Sequence, residues 1–123
     1  MLLEGFYKIK HIATTDHITW CVLAELNPSH KLYQGHFPQH PIVPGVCILQ
    51  LIKECTETIQ NTTLLYTQIT SCKFLSTIDP TKNQSLEFTL TIKSTENGQT
   101  YLLAEGKAAN NCFIKLKALA INK

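Results

Sequence analysis

Polar and apolar residues alternate in the second half of the chain with the period of two that is typical of strands with one buried face. The alternation is clearest over residues 85–94. Its apolar positions are Leu86, Phe88, Leu90 and Ile92. Glutamate, threonine and lysine lie between them, so we predict a strand with one face in the core and the other in water.

Turn-forming residues divide much of the remaining chain into further strands. Residues 5–13 and 17–26 are rich in β-branched and aromatic side chains, and the polar segment 14–16 between them predicts a tight turn. Asp-Pro, Asn-Gly and Asn-Asn pairs mark turns later in the chain. The later strands are therefore predicted at residues 66–78, 85–94, 100–109 and 112–121.

One segment has a helical period instead. Its apolar residues recur at spacings of four, three and four, at Ile48, Ile52, Cys55 and Ile59. We predict a single helix of about four turns that begins at Pro44 or Gly45. Charged residues gather toward its far end, so we expect this helix to be buried at its start and solvated later.

The order of elements is two strands, one long helix and four strands. Because a single helix must cover the apolar face of the sheet, we expect an α+β fold in which an antiparallel sheet curls around that helix. The 123 residues, 44% of them hydrophobic, show no linker or repeat. We therefore expect one domain that spans residues 1–123.

Charge argues against nucleic acid as a partner. The net charge is +2, the lysines are scattered, and the sequence contains no arginine. A nucleic-acid surface usually clusters positive charge and uses arginine to bind phosphate or guanine.

Cysteine usage and hydropathy favour a soluble, cytoplasmic protein. The five cysteines are odd in number and lie among apolar residues, so we expect reduced, buried thiols. No pair has metal-ligand spacing, and we expect neither a metal nor a cofactor. No stretch approaches the length of about 20 apolar residues that a membrane span needs.

The strongest candidate for chemistry is the segment of residues 33–50, which reads Y-Q-G-H-F-P-Q-H-P-I-V-P-G-V-C-I-L-Q. Its prolines stiffen the loop that follows His36 and prevent a helix before Pro44. The amides at the helix start, at Gly45 and Val46, have no acceptor within the helix. An imidazole beside such amides suits chemistry on a carbonyl, because the ring removes a proton while the amides stabilise the oxyanion.

This segment resembles the β-hydroxyacyl-[acyl carrier protein] dehydratases, whose hot-dog fold wraps a sheet around a central helix. The loop spacing from Gly35 through Pro38 to Gly45 matches that family, and so does the order of strands and helix. The resemblance implies a dimer or an oligomer of dimers, with an acyl thioester on acyl carrier protein or coenzyme A as the substrate. It implies His36 as the catalytic base, the Gly45 amide at the thioester carbonyl, and Phe37 and Val46 in substrate binding.

The resemblance breaks at Gln50. The family has an acid at this position of the helix, which reaches the active site of the partner subunit and helps the hydroxyl leave as water. Glutamine forms hydrogen bonds but has no titratable proton to give, so Gln50 is expected to be a polar catalytic helper or the remnant of a lost acid. Glu54 lies one turn later on the same face and is an alternative carboxylate, although its charged neighbours favour a solvated position.

Three functions fit these residues. The leading expectation is a dehydratase-like enzyme of fatty-acid or related lipid biosynthesis. The second is a hot-dog acyl thioesterase in which Gln50 holds the attacking water. The third is an acyl-thioester-binding partner subunit with weakened catalysis.

Overall fold

The computed structural model of the protein describes residues 4–34 and 40–123. Six strands and one long helix account for most of these residues. In chain order they are β1 (Tyr7–Thr14), β2 (Thr19–Leu26), α1 (Gly45–Gln60), β3 (Leu64–Phe74), β4 (Ser85–Ser94), β5 (Thr100–Ala108) and β6 (Asn111–Asn122). A short 3-10 helix, Lys31–Gln34, precedes the loop to α1.

All six strands form one antiparallel sheet in the order β1-β2-β4-β5-β6-β3. Strand β3 follows the helix in the chain but pairs with β6, so it forms one edge of the sheet, and β1 forms the other. The predicted α+β architecture, with an antiparallel sheet and one long helix, is confirmed.

The core lies between α1 and one face of the sheet. The alternation predicted for β4 is confirmed, because its four apolar side chains are at most 8% exposed. They share one cluster with the buried face of the helix, whose apolar members are Cys47, Ile48, Leu51, Ile52 and Cys55. The four inner strands, β2, β4, β5 and β6, therefore have one face in this core and the other directed outward, whereas the edge strands β1 and β3 are mostly half-buried or exposed.

The burial predicted along α1 is right for the last turn, where every residue is half-buried or exposed, but wrong for parts of the first and third turns. Val46, in the first turn, is 74% exposed, whereas Glu54, in the third, is 1% exposed. The third turn is enclosed because side chains around it connect the helix to the sheet. Lys53 Nζ donates to the Leu64 carbonyl at 3.1 Å, and Glu57 Oε2 accepts from the Leu64 amide at 2.7 Å. The second half of the helix is thus attached to the start of β3.

Two other details differ from expectation. Strand β3 starts two residues earlier than predicted and ends at Phe74. The Leu75 amide makes one more bond to β6, to the Phe113 carbonyl at 2.9 Å, and the chain then turns away, so that the Ile78 carbonyl accepts from the Val43 amide at 3.0 Å.

All five cysteines are free thiols, but only Cys47 and Cys55 are buried. Cys72 and Cys112 are half-buried, and Cys21 is exposed on the outward face of β2. Within the described ranges, no helix has the length and apolar character needed to cross a membrane.

Candidate functional site

The start of α1 has the geometry that the sequence predicts. Pro44 is extended, with φ −62° and ψ 143°, and its carbonyl accepts from the amides of Cys47 at 3.0 Å and Ile48 at 3.2 Å. The amides of Gly45 and Val46 precede these two and have no acceptor within the helix. The helix dipole adds partial positive charge at the same place. This end of α1 can therefore bind a carbonyl oxygen that gains negative charge.

Packing also favours glycine at position 45. The ring of Phe74, at the end of β3, lies directly over Gly45, and an added Cβ would be 2.9 Å from its Cζ atom. The Phe74 side chain is itself 49% exposed, so it covers the helix start from the solvent side. Close backbone packing, one of the two roles considered for Gly45, is therefore present in the structure.

Gln50 lies in the second turn of α1 and is half-buried. Its Nε2 atom donates a hydrogen bond of 2.8 Å to Oε2 of Glu54. The other carboxylate oxygen, Oε1, accepts a hydrogen bond of 2.8 Å from the hydroxyl of Tyr7 on β1. Three polar side chains from two elements thus form one cluster, which we call the Tyr7-Gln50-Glu54 cluster.

The tyrosine of this cluster is a hydrogen-bond donor at neutral pH. Burial raises the pKa of the Tyr7 hydroxyl far above its ordinary value of 10.0, and the hydrogen bond to Glu54 raises it further. A protonated phenol therefore faces the carboxylate across the whole neutral range. A buried carboxylate is costly unless its oxygens accept hydrogen bonds, and Tyr7 and Gln50 supply two of them.

A cavity of about 330 Å³ opens beside the cluster. Gln50 and Glu54 line it together with Lys53, Thr63 and the terminal Lys123. Lys53 Nζ also lies 3.8 Å from Oε2 of Glu57, one helical turn later, so the positive charge of Lys53 is partly balanced at the wall of the cavity. Among the described residues, no group of three or more histidine, cysteine, aspartate or glutamate side chains is arranged to bind a metal ion.

The structure describes some of the site residues predicted from the sequence but not all of them. His36 and Phe37 lie outside the described residues, so their roles remain predictions. Gly45, Val46 and Gln50 lie within the first two turns of α1. The Val46 side chain, in the first turn, is 74% exposed.

Tyr7 is the residue that the sequence interpretation missed, whereas Glu54 was considered there only as an alternative carboxylate. The expectation of a solvated Glu54 is wrong, since the side chain is 1% exposed. The sequence does contain a signal of this burial. Leu51 follows Cys47 by four residues and Glu54 follows Leu51 by three, so the three side chains lie on the same face of the helix. No comparable signal marks Tyr7, which lies 47 positions from its partner.

Comparison with known proteins agrees with this architecture. A structure described as the dehydratase heterocomplex ApeI:P of Xenorhabdus doucetiae has a TM-score of 0.72 at 18% identity, with 94% of this chain and 97% of that chain covered. A structure described as the putative thioesterase yhdA of Lactococcus lactis has a TM-score of 0.69 at 8% identity, with 99% and 95% covered. At these identities the likeness concerns the fold alone. The class of protein is therefore the hot-dog fold that dehydratases and thioesterases share.

Sequence comparison is more specific. The profile of the ApeI-like family, described as ApeI dehydratase, matches residues 11–113, which is most of the chain. The 3-hydroxyacyl-[acyl-carrier-protein] dehydratase FabZ of Aliarcobacter butzleri (strain RM4018) is 30% identical over 92 residues. That alignment covers 65% of this chain and 60% of the FabZ chain. The protein belongs to the ApeI-like dehydratase family.

Proposed function

We propose that this protein dehydrates 3-hydroxyacyl thioesters, carried on acyl carrier protein or on coenzyme A. The observation that carries the proposal is the start of α1 in a member of the ApeI-like family, where free amides at Gly45 and Val46 follow the loop that contains His36. In this reaction His36 removes the proton from the carbon next to the thioester carbonyl. The Gly45 amide stabilises the enolate oxygen that forms. Phe37 and Val46 contact the acyl group.

Gln50 takes the position at which related dehydratases have an acid. In our proposal it forms a hydrogen bond to the 3-hydroxyl group and directs its departure, while water or the protonated His36 supplies the proton that makes the hydroxyl leave as water. General acid catalysis usually contributes about 10²- to 10⁴-fold, so we expect turnover to be slower than with an acid at this position. The chemistry requires no cofactor.

The test is product analysis with matched histidine variants. Purified protein is mixed with a 3-hydroxyacyl carrier-protein thioester, and the enoyl product and free thiol are both measured. The wild type should form the enoyl thioester, and His36→Ala should lose this activity. His40→Ala is the control, because His40 is an exposed residue of the same loop. Full activity of His36→Ala would contradict the proposal.

The role of position 50 is tested by exchanging two residues. The Gln50 amide and the Glu54 carboxylate are now 2.8 Å apart. In Gln50→Glu alone, two carboxylates would lie at this distance, and they would have to share a proton because their charges repel. The double variant Gln50→Glu/Glu54→Gln keeps one amide and one carboxylate in contact, in reversed order. We expect this double variant to turn over faster than the wild type. A folded double variant that turns over more slowly than the wild type would contradict the idea that the missing acid at position 50 limits turnover.

Hydrolysis of the thioester is the second candidate. It is supported by the glutamine itself, because an amide can hold an attacking water but cannot protonate a leaving hydroxyl. Release of free thiol without an enoyl product would establish it. Binding without conversion over several acyl lengths would instead indicate a partner subunit with weakened catalysis.

We also propose that two chains associate through β3. This strand forms an edge of the sheet and exposes Leu65, Ile69 and Phe74 at 44–49%. An exposed edge strand with apolar side chains is a typical template for pairing with another chain. Since β3 carries Phe74, which covers Gly45, pairing there would bring the partner close to the candidate site. We further propose that the assembly acts in the cytoplasm and binds no nucleic acid.

A further inference from the structure

The proposed reaction leaves one buried charged residue without a role. Glu54 is 1% exposed, lines the cavity beside Gln50 and lies one helical turn after it. A carboxylate so far from water weakens the fold unless its contacts compensate for lost hydration. Two of its contacts are hydrogen bonds from Tyr7 and Gln50, each of 2.8 Å.

The Tyr7 contact fixes the carboxylate from the sheet side. Tyr7 lies at the start of β1, the edge strand opposite β3, and its hydroxyl spans the space to the helix. Because burial raises the pKa of Tyr7, the hydroxyl keeps its proton and donates to Oε1 of Glu54. Gln50 donates to the second oxygen, Oε2.

This arrangement determines which way the amide of Gln50 points. An ionised carboxylate offers only acceptors, so the amide nitrogen, and not the amide oxygen, must face Glu54. Without an acidic neighbour, the two orientations of a glutamine amide differ little in energy. With Glu54 in place, Oε1 of Gln50 is directed away from Glu54 and is an acceptor of fixed position.

We propose that Glu54 is a positioning residue that acts through Gln50. It holds the Gln50 amide so that Oε1 accepts a hydrogen bond from the 3-hydroxyl of the bound acyl thioester. This inference rests on the proposed function, and it gives the site a preference for 3-hydroxyacyl over plain acyl chains. Tyr7 supports the same orientation by holding Glu54.

The test measures binding, so it does not depend on turnover. The probes are the amide analogues of 3-hydroxyoctanoyl-pantetheine and octanoyl-pantetheine, which cannot be hydrolysed as thioesters. A hydrogen bond to the hydroxyl should favour the hydroxylated probe about five- to ten-fold in the wild type. Glu54→Gln keeps the shape and removes the charge, and we expect the preference to fall toward one. An unchanged preference in Glu54→Gln would overturn the proposal.

Glu57→Gln is the matched control. Glu57 is the next acid on the same helix and accepts a hydrogen bond from the Leu64 amide, whereas the Gln50 amide donates to Glu54. Its replacement removes an equal charge one turn away and should leave the preference of the wild type. An equal loss in both variants would show a general charge effect and would overturn the specific role of Glu54.

Two further measurements keep the inference testable if Glu54→Gln folds poorly or the probes bind weakly. Tyr7→Phe removes one donor to Glu54, so the preference should fall part of the way. The side-chain amide signals of Gln50 in a ¹⁵N spectrum should shift in Glu54→Gln and stay in place in Glu57→Gln. Side-chain amide signals of Gln50 that do not shift in Glu54→Gln would contradict the proposal.

The outcomes also separate this inference from the proposed function. A wild type that prefers the hydroxylated probe yet converts no 3-hydroxyacyl thioester would contradict the dehydratase function and retain the positioning role. A wild type that dehydrates substrate but binds both probes equally would contradict the positioning role alone.

Discussion

At the scale of single residues, buried polar groups need partners, and Tyr33 is a test of that rule. Its side chain is 5% exposed and packs against Phe6, with ring centroids 5.6 Å apart. Its hydroxyl has no hydrogen-bond partner among the described residues. Burial raises the pKa of this hydroxyl, so it stays protonated and carries an unused donor. A buried donor without a partner costs about 1–3 kcal/mol relative to its hydrated state.

We therefore expect Tyr33→Phe to be as stable as the wild type or more stable by about 1 kcal/mol. The ring and its contact with Phe6 remain, and only the hydroxyl is removed. Chemical denaturation at neutral pH measures the difference in free energy of unfolding. A variant less stable than the wild type by 1 kcal/mol or more would mean that the hydroxyl has a stabilising partner.

The same scale shows what the sequence could and could not predict about the site. Gly45 and Gln50 were predictable because they belong to one continuous motif at fixed spacing. The contact between Tyr7 and Glu54 was not, because it joins residues 47 positions apart and leaves no periodic trace. The burial of Glu54 was not predictable from its charge either. A charged residue is seldom buried without a partner, and its partner Tyr7 lies far away in the chain.

At the scale of elements, the connection between β1 and β2 is held by the side chains of Thr14 and Asp16. The Thr14 hydroxyl donates to the Thr19 carbonyl at 2.8 Å and accepts from the His17 amide at 2.9 Å. Asp16 accepts hydrogen bonds of 2.9 Å from the amides of Ile18 and Thr19. These bonds hold the pKa of Asp16 below its ordinary value of 3.8. The turn also places His17 at φ 59°, in the left-handed region that non-glycine residues seldom adopt. The carboxylate thus stabilises a backbone shape that is otherwise unfavourable.

The lowered pKa of Asp16 predicts the direction in which the stability of the protein changes at acid pH. A folded-state pKa below the unfolded one means that Asp16 stabilises the fold above its ordinary value of 3.8, and that this stabilisation is lost as the pH falls through the folded pKa. Asp16→Asn should therefore lose less stability between neutral and strongly acidic pH than the wild type. Thermal unfolding across that range measures it. Identical acid curves for the two proteins would contradict the role of the charge.

Most elements themselves were predictable from local pattern. The strict alternation in β4 and the four-three-four spacing in α1 both reflect one buried face, which is a property of the segment alone. The end of β3 was not predictable, because Leu75 and Ile78 are as apolar as the strand before them. The strand stops where its partner β6 stops pairing with it, and that limit is set by the whole sheet.

At the scale of the whole molecule, the two edges of the sheet differ. The edge formed by β1 carries lysines and a histidine that discourage pairing with another strand. The edge formed by β3 exposes Leu65 and Ile69 and continues into the exposed Phe74. The strand order places these edges at opposite ends of the sheet, which no local pattern predicts, because β3 pairs with β6 and two other strands, β4 and β5, lie between them in the chain.

We expect the protein to form a dimer in solution through β3. Static light scattering should give the mass of two chains, or of a multiple of two, for the wild type. The double variant Leu65→Lys/Ile69→Lys should be a monomer, because two charges on a paired edge would lose hydration and repel their copies. The control Ile18→Lys changes a residue of similar exposure, 43%, in the turn before β2 and should keep the mass of the wild type.

A double variant of β3 that keeps the mass of the wild type would place the interface elsewhere. A monomeric wild type would contradict the proposed association altogether.

The proposed mechanism requires that His36 exchange a proton with the carbon next to the thioester carbonyl while water leaves or enters at the next carbon. The most direct measurement runs the reaction in reverse, with an enoyl carrier-protein thioester in D₂O and mass spectrometry of the product. We predict a 3-hydroxyacyl product with one deuterium fixed on the carbon next to the carbonyl, formed by the wild type and by His40→Ala but not by His36→Ala. Free acid and thiol, or the same deuterated product from His36→Ala, would contradict the account.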